Sequence, residues 1–91
     1  MEKVWTTVDG CGYVELELPM DVVRQCAHSG ECLYDVEACL LLPEIRKQMD
    51  SLSDETMVKS LNEVMEGANE MSRHDLECYI LWVACFNVLD S

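Results

Sequence analysis

Positive charge is scarce in this chain. Six lysine and arginine residues stand against eighteen aspartate and glutamate residues, which gives a formal net charge of -12 at pH 7. Nucleic acids and anionic membranes are bound through basic patches, so this composition argues against direct binding of either. The acidic excess leaves two roles for the surface, which are solvation of the chain and docking onto a basic protein.

Glycine and long apolar runs are also scarce. The four glycines form no glycine-rich loop of the kind that cradles a phosphate. The apolar run at 78–86 is shorter than the roughly 20 residues that span a bilayer, and no apolar signal segment opens the chain. The hydrophobic fraction of 49% still supplies a core. We therefore expect a single domain over residues 1–91.

The cysteine pattern favours reduced thiols over disulfides. Six cysteines would suffice for three disulfide bonds in a secreted chain. However, Cys39, Cys78 and Cys85 lie in apolar stretches, where cysteine behaves as a small buried hydrophobe. Without a signal segment, we expect reduced cysteines and a cytoplasmic location.

Residues 3–18 predict a β-hairpin. The first run, 3–8, is rich in β-branched and aromatic residues, and an Asp-Gly turn follows at 9–10. Residues 13–18 then alternate, so Val14, Leu16 and Leu18 are expected to face the core. A lone hairpin is only marginally stable in water, so it must pack on other elements.

Residues 20–89 predict four or five helices. Ser53 and Ser72 are the expected N-caps of the last two. The final helix is apolar nearly all round, so we expect it to be wrapped by other elements, with Trp82 and Phe86 beneath the hairpin. The fold class is therefore α+β, a two-stranded N-terminal hairpin packed on a small helical bundle. The helical segments are 20–28, 31–42, 44–49, 53–66 and 72–89.

One group of residues resembles a metal site. Cys26, His28 and Cys32 lie within seven residues, and thiolate with imidazole suits zinc. A structural zinc site needs four ligands, and no second ligand pair has a recognisable spacing. A structural role for all three residues is the simpler interpretation. We therefore predict no cofactor and keep a small zinc-stabilised structural or adaptor module as an alternative function.

Two cysteine–histidine pairs are candidates for an activated nucleophile. Cys26 and His28 are two residues apart and would point to different faces of a helix. His74 and Cys78 are four apart and would share one face. No groove or oxyanion donor is implied near them. We predict that the protein is not an enzyme.

The acidic residues form arrays that favour protein binding. Glu15 and Glu17 share one face of a strand, roughly 7 Å apart, which is about the spacing of successive phosphates in one nucleic-acid strand. Carboxylates on rigid elements can occupy phosphate positions on a nucleic-acid-binding protein, so DNA mimicry is one expected mode. Solvation is the alternative for each single residue. The predicted partner-binding residues are Glu15, Glu17, Glu31, Asp35 and Glu37.

The chain resembles two groups of small proteins. Gly-Glu-Cys at 30–32, Asp-Val at 35–36 and Ile-Leu-Trp-Val-Ala at 80–84 resemble a pattern in small uncharacterised proteins of phages and plasmids, which implies no function. In size, acidity and lack of catalytic apparatus, the chain is similar to the anti-CRISPR proteins of phages, a class without a common fold or motif.

The second resemblance implies a non-catalytic inhibitor that binds a CRISPR surveillance complex, in some cases along its DNA path. Such a complex is a basic, nucleic-acid-handling partner, and the chain itself would contact neither nucleic acid nor membrane. A homodimeric helical accessory protein is a further alternative.

Overall fold

The computed structural model describes residues 2–27 and 34–90. Within these residues, an antiparallel hairpin precedes a group of helices, so the predicted α+β class is confirmed. A 3-10 helix at Ala68–Glu70 precedes the last helix. The elements are β1 (Lys3–Thr7), β2 (Glu15–Pro19), α1 (Met20–Ala27), α2 (Tyr34–Leu40), α3 (Pro43–Asp50), α4 (Asp54–Asn62) and α5 (Arg73–Asp90).

The hairpin packs one face against the helices, as its alternation predicts. Val14, Leu16 and Leu18 are fully buried, while Glu15 between them is exposed. The strands pair in a register that sets Trp5 opposite Glu17. Because side chains alternate between the two faces of a strand, these two lie on the outer face of the hairpin.

Asp9 holds the hairpin turn together. Its carboxylate accepts hydrogen bonds from the backbone N–H groups of Cys11 (2.8 Å) and Tyr13 (3.1 Å). Val14 N–H, at 3.4 Å, and the Ser60 hydroxyl of α4 also donate to it. The carboxylate is buried, so these donors replace the water that it loses on folding.

Two helices are shorter than their predicted spans. The segment predicted at 31–42 contains α2, which ends at Leu40, because Leu42 is extended (φ -66°, ψ 134°) ahead of Pro43. A residue before proline avoids helical geometry, and proline then serves as the first residue of α3. The helix predicted to reach residue 66 ends at Asn62. Both serine caps are confirmed, since Ser53 and Ser72 accept N–H bonds three residues ahead.

Helix α5 is the core element but is not wrapped all round. It packs against α1, α2, α4 and β1, and its Ile80, Leu81 and Ala84 are fully buried. The expectation that Phe86 lies buried beneath the hairpin is wrong, whereas Trp82 is half-buried against the core. Phe86 is 51% exposed and stacks edge-on against Trp82, with ring centroids 5.8 Å apart. The Phe86 end of the aromatic pair therefore lies at the surface.

A buried carboxylate joins α3 to the start of α5. Glu77 accepts hydrogen bonds from Arg46 and from Arg73, and Arg73 also donates to the Met49 carbonyl at 2.7 Å. Burial alone would raise the pKa of Glu77, but its hydrogen bonds to the two guanidinium groups lower it below the ordinary value. Within the described residues, no helix has both the length and the apolar character to cross a membrane.

Candidate functional site

The hydrogen-bond pattern of the hairpin defines which backbone groups face outward. Val8 N–H donates to the Val14 carbonyl, and Met20 N–H donates to the Glu2 carbonyl at the other end. Bonded and non-bonded pairs alternate along an antiparallel ladder. The even-numbered residues of β1 therefore bond to β2, and the odd-numbered residues direct their N–H and C=O groups away from it.

The outer edge of β1 is open. Among the described residues, nothing bonds to the outward N–H and C=O of Trp5 or to the N–H of Thr7. The Thr7 carbonyl accepts from Asn87 Nδ2 at 2.9 Å, as does the Val8 carbonyl at 3.0 Å. A row of unpaired backbone groups can pair with another chain.

At Glu17, the outer edge of β2 is closed by one side chain. Glu17 N–H donates to Gln48 Oε1 (2.8 Å), and Gln48 Nε2 donates to the Glu17 carbonyl (2.9 Å). The amide of Gln48 thus takes the place that a residue of a third strand would occupy. Its Nε2 also donates to the Glu44 carbonyl (3.1 Å), which ties the amide to its own helix.

A surface groove of about 680 Å³ runs along the open edge of β1. Trp5 at its rim is 67% exposed, and the carboxylates of Glu15 and Asp90 lie on exposed residues of the lining. No lysine or arginine of the described residues lines it. The groove is lined by residues 4–10, Glu15, Val64, Asn87, Val88 and Asp90.

Most of the basic residues form local ion pairs. Within the described residues, Lys47 is the one lysine or arginine without a carboxylate partner. Many exposed carboxylates have no cation beside them, so the surface potential is negative. The exposed carboxylates without an ion pair among the described residues are Glu2, Glu15, Asp35, Glu63, Glu66, Glu70, Asp75 and Asp90.

The predicted partner-binding residues fall into two groups. Glu15 lines the groove, and Glu17 lies nearby but contacts Lys3 Nζ at 3.8 Å. Asp35 and Glu37 are exposed on α2, and Glu37 contacts His74 near the start of α5. Since α5 rises about 1.5 Å per residue, His74 lies roughly 20 Å from the groove end of that helix. Glu31 lies outside the described residues.

Cys26, the described member of the zinc alternative, lies in the core. It is fully buried, and a hydrogen bond to the Cys85 thiol together with burial raises its pKa. Cys39 also contacts it, so three cysteines from α1, α2 and α5 meet inside the protein. His28 and Cys32 lie outside the described residues. Cys11, Cys39, Cys78 and Cys85 form no disulfide bonds.

A different cluster forms between α2 and α5. His74 Nε2 lies 3.3 Å from Glu37 Oε1 and 3.7 Å from Cys78 Sγ. Burial, with the carboxylates of Glu37, Asp75 and Glu77 nearby, raises the pKa of Cys78 to about 11. The thiol is therefore protonated at neutral pH, which does not suit a nucleophile. The i, i+4 spacing of His74 and Cys78 is visible in the sequence, whereas the approach of Glu37 is not.

The chain matches no family model, and neither the curated proteins nor the solved structures include a match to it.

Proposed function

We propose that this chain is a non-catalytic inhibitor that binds a basic, nucleic-acid-handling protein, with the open edge of β1 as its docking surface. The observation that carries the proposal is the groove beside that edge. It combines unpaired backbone groups, an exposed tryptophan and unneutralised carboxylates, and no lysine or arginine lines its described part.

The groove suits an extended basic segment of the partner. Such a segment adds a strand to β1 through main-chain hydrogen bonds to Trp5 and Thr7. Its alternate lysine or arginine side chains then reach Glu15 and Asp90, and one of them stacks on the Trp5 ring. The remaining acidic surface steers the encounter, so association weakens as salt rises.

The resemblance to anti-CRISPR proteins suggests a CRISPR surveillance complex as the target. A surface that presents carboxylates competes for the lysines and arginines that hold phosphates, so the chain would act as a DNA mimic. The direct assay is DNA binding by a purified surveillance complex with increasing amounts of this chain. Inhibition that is relieved by added DNA supports mimicry, and inhibition that DNA does not relieve supports a block elsewhere on the complex.

The docking surface is tested with variants in a binding assay against the purified surveillance complex. We expect Trp5→Ala to weaken binding by about 2 kcal/mol, or roughly 30-fold, because an exposed aromatic anchor is lost. Glu15→Lys should weaken binding by at least about tenfold, because it sets a positive charge beside a basic segment. Isothermal titration calorimetry at two salt concentrations measures both effects.

Two matched pairs of variants test whether binding depends on the edge of β1 itself. Glu66→Lys makes the same charge change at an exposed residue outside the groove and should have a much smaller effect. Thr7→Pro removes an outward N–H without breaking the ladder and should weaken binding, whereas Thr7→Val keeps the N–H and should not. Equal losses for Glu15→Lys and Glu66→Lys would mean that net charge alone acts, and the docking surface would have to be abandoned.

A further inference from the structure

The cluster of Glu37, His74 and Cys78 brings three kinds of metal ligand to one point. One carboxylate oxygen, one imidazole nitrogen and the Sγ atom all lie within 4.8 Å of one another. His74 and Cys78 are one turn apart on α5, and Glu37 comes from α2. Carboxylate oxygen, imidazole nitrogen and thiolate sulfur are the protein ligands of zinc.

Two of the three separations between ligand atoms fit a tetrahedral ion. Zinc–ligand bonds of about 2.0–2.3 Å at tetrahedral angles place neighbouring ligand atoms roughly 3.3–3.6 Å apart. The two measured separations from His74 Nε2 are 3.3 Å to oxygen and 3.7 Å to sulfur. We propose that Glu37, His74 and Cys78 form a zinc site with three protein ligands and an open fourth position.

The backbone on both sides of the site is fixed by packing. Val36, Cys39 and Leu40 of α2 are buried around Glu37, and Ser72 caps the first turn of α5. Ligands on packed helices hold their geometry better than ligands on loops.

The site opens to solvent on one side. Cys78 is buried at its base, while the side chains of His74 and Glu37 are 60% and 47% exposed. A water molecule or a partner's side chain can therefore supply the fourth ligand. On binding, the Cys78 thiol releases its proton to solvent and becomes the thiolate ligand.

Zinc here would change the acidic surface without involving the groove. The ion links α2 to α5 and neutralises the charge of Glu37, one of the predicted partner-binding carboxylates. The groove lies at the far end of α5, roughly 20 Å away by helix rise. The metal site and the docking surface can therefore succeed or fail independently.

The test titrates Zn²⁺ into the reduced, chelator-treated full chain against a chromophoric chelator, with elemental analysis after gel filtration. We expect one zinc per chain. His74→Ala should weaken binding by at least about tenfold, because one of three ligands is lost. His28→Ala is the matched control, since these two are the only histidines in the chain, and it should leave affinity unchanged.

Cobalt substitution reports on the sulfur ligand. Co²⁺ bound to a thiolate gives a near-ultraviolet charge-transfer band, which Cys78→Ser should remove and Cys11→Ser, at an exposed thiol, should not.

If Cys78→Ser fails to fold, Glu37→Gln and His74→Ala still decide the question, since both residues are exposed. If the unsubstituted chain retains no zinc after gel filtration, the proposal is overturned. Loss of zinc in His28→Ala with retention in His74→Ala would also overturn it and move the metal to the cluster of Cys26, His28 and Cys32.

Discussion

The two edges of the hairpin differ in how their backbone groups are satisfied. On β2, the N–H and C=O of Glu17 are paired with the amide of Gln48, which closes that position of the edge with one side chain. On β1, the corresponding groups of Trp5 have no partner among the described residues. At this position, a side-chain amide from helix α3 takes the place of a third strand.

The neutralisation of carboxylates also differs between the two edges. Beside β2, Lys3 Nζ contacts both Glu17 (3.8 Å) and Glu44 (3.3 Å), so the carboxylates there are partly neutralised. Beside β1, Glu15 and Asp90 have no such cation among the described residues. Proteins usually blunt an edge strand with lysine or proline. Where it borders the groove, the open edge has carboxylates and no lysine or arginine in its described lining, so it repels other acidic edges and attracts basic segments.

The largest expected effect on stability comes from the turn that sets both edges. Asp9→Asn removes a buried charged acceptor from three N–H groups and one hydroxyl, which should cost about 2–3 kcal/mol of unfolding free energy. Urea denaturation at neutral pH measures it. Asp90→Asn is the exposed control and should change stability by less than about 0.5 kcal/mol. A loss as small as that of the control would mean that the Asp9 bonds do not hold the hairpin.

The same carboxylate makes stability depend on pH. Burial alone would raise the pKa of Asp9, but the bonds from Ser60 and from the turn lower it below its ordinary value. A lowered folded-state pKa stabilises the fold above the unfolded value of about 3.9, and this stabilisation is lost as pH falls through the folded value. Glu77 titrates in the same direction. We therefore expect Asp9→Asn to flatten the acid limb of the stability curve only in part.

A smaller effect is expected from opening the second edge. Gln48→Leu removes both bonds to Glu17. Each net hydrogen bond contributes about 0.5–1.5 kcal/mol, and the freed edge groups can bond water, so the loss should lie in the lower part of the summed range, at about 1–2 kcal/mol. Amide exchange at Glu17 should then rise to the rate at Trp5. Gln25→Leu, at an exposed glutamine on α1, is the control and should leave Glu17 protected. Continued protection of Glu17 in Gln48→Leu would show that something else closes this edge.

Local signals were sufficient to predict the hairpin and the helix caps. The Asp-Gly turn and the alternation of Val14, Leu16 and Leu18 give the strands and their buried face. Serine followed by an acidic first turn gives the starts of α4 and α5. These features depend on residues within a few positions of one another, where propensity and periodicity act directly.

Features that depend on distant residues were not predictable. Gln48 meets Glu17 from 31 positions away, and Glu37 meets His74 from 37 positions away. Nothing in the sequence near Gln48 or Glu37 indicates such a partner. The exposure of Phe86 has the same cause. An apolar helix shows that it must be buried, but which turn lies at the surface depends on how few elements a 91-residue chain has to cover it.

The open edge of β1 is tested most directly by amide hydrogen exchange of the free protein and of its complex with a lysine-rich extended peptide. In the free protein, Glu17 should be protected by Gln48, while Trp5 and Thr7 should exchange rapidly. Added peptide should slow exchange at Trp5 and Thr7 and leave Glu17 unchanged, and an acidic peptide of equal length should have no effect. Protection of Trp5 in the free protein, or slowing at Glu17 with none at Trp5, would contradict the account.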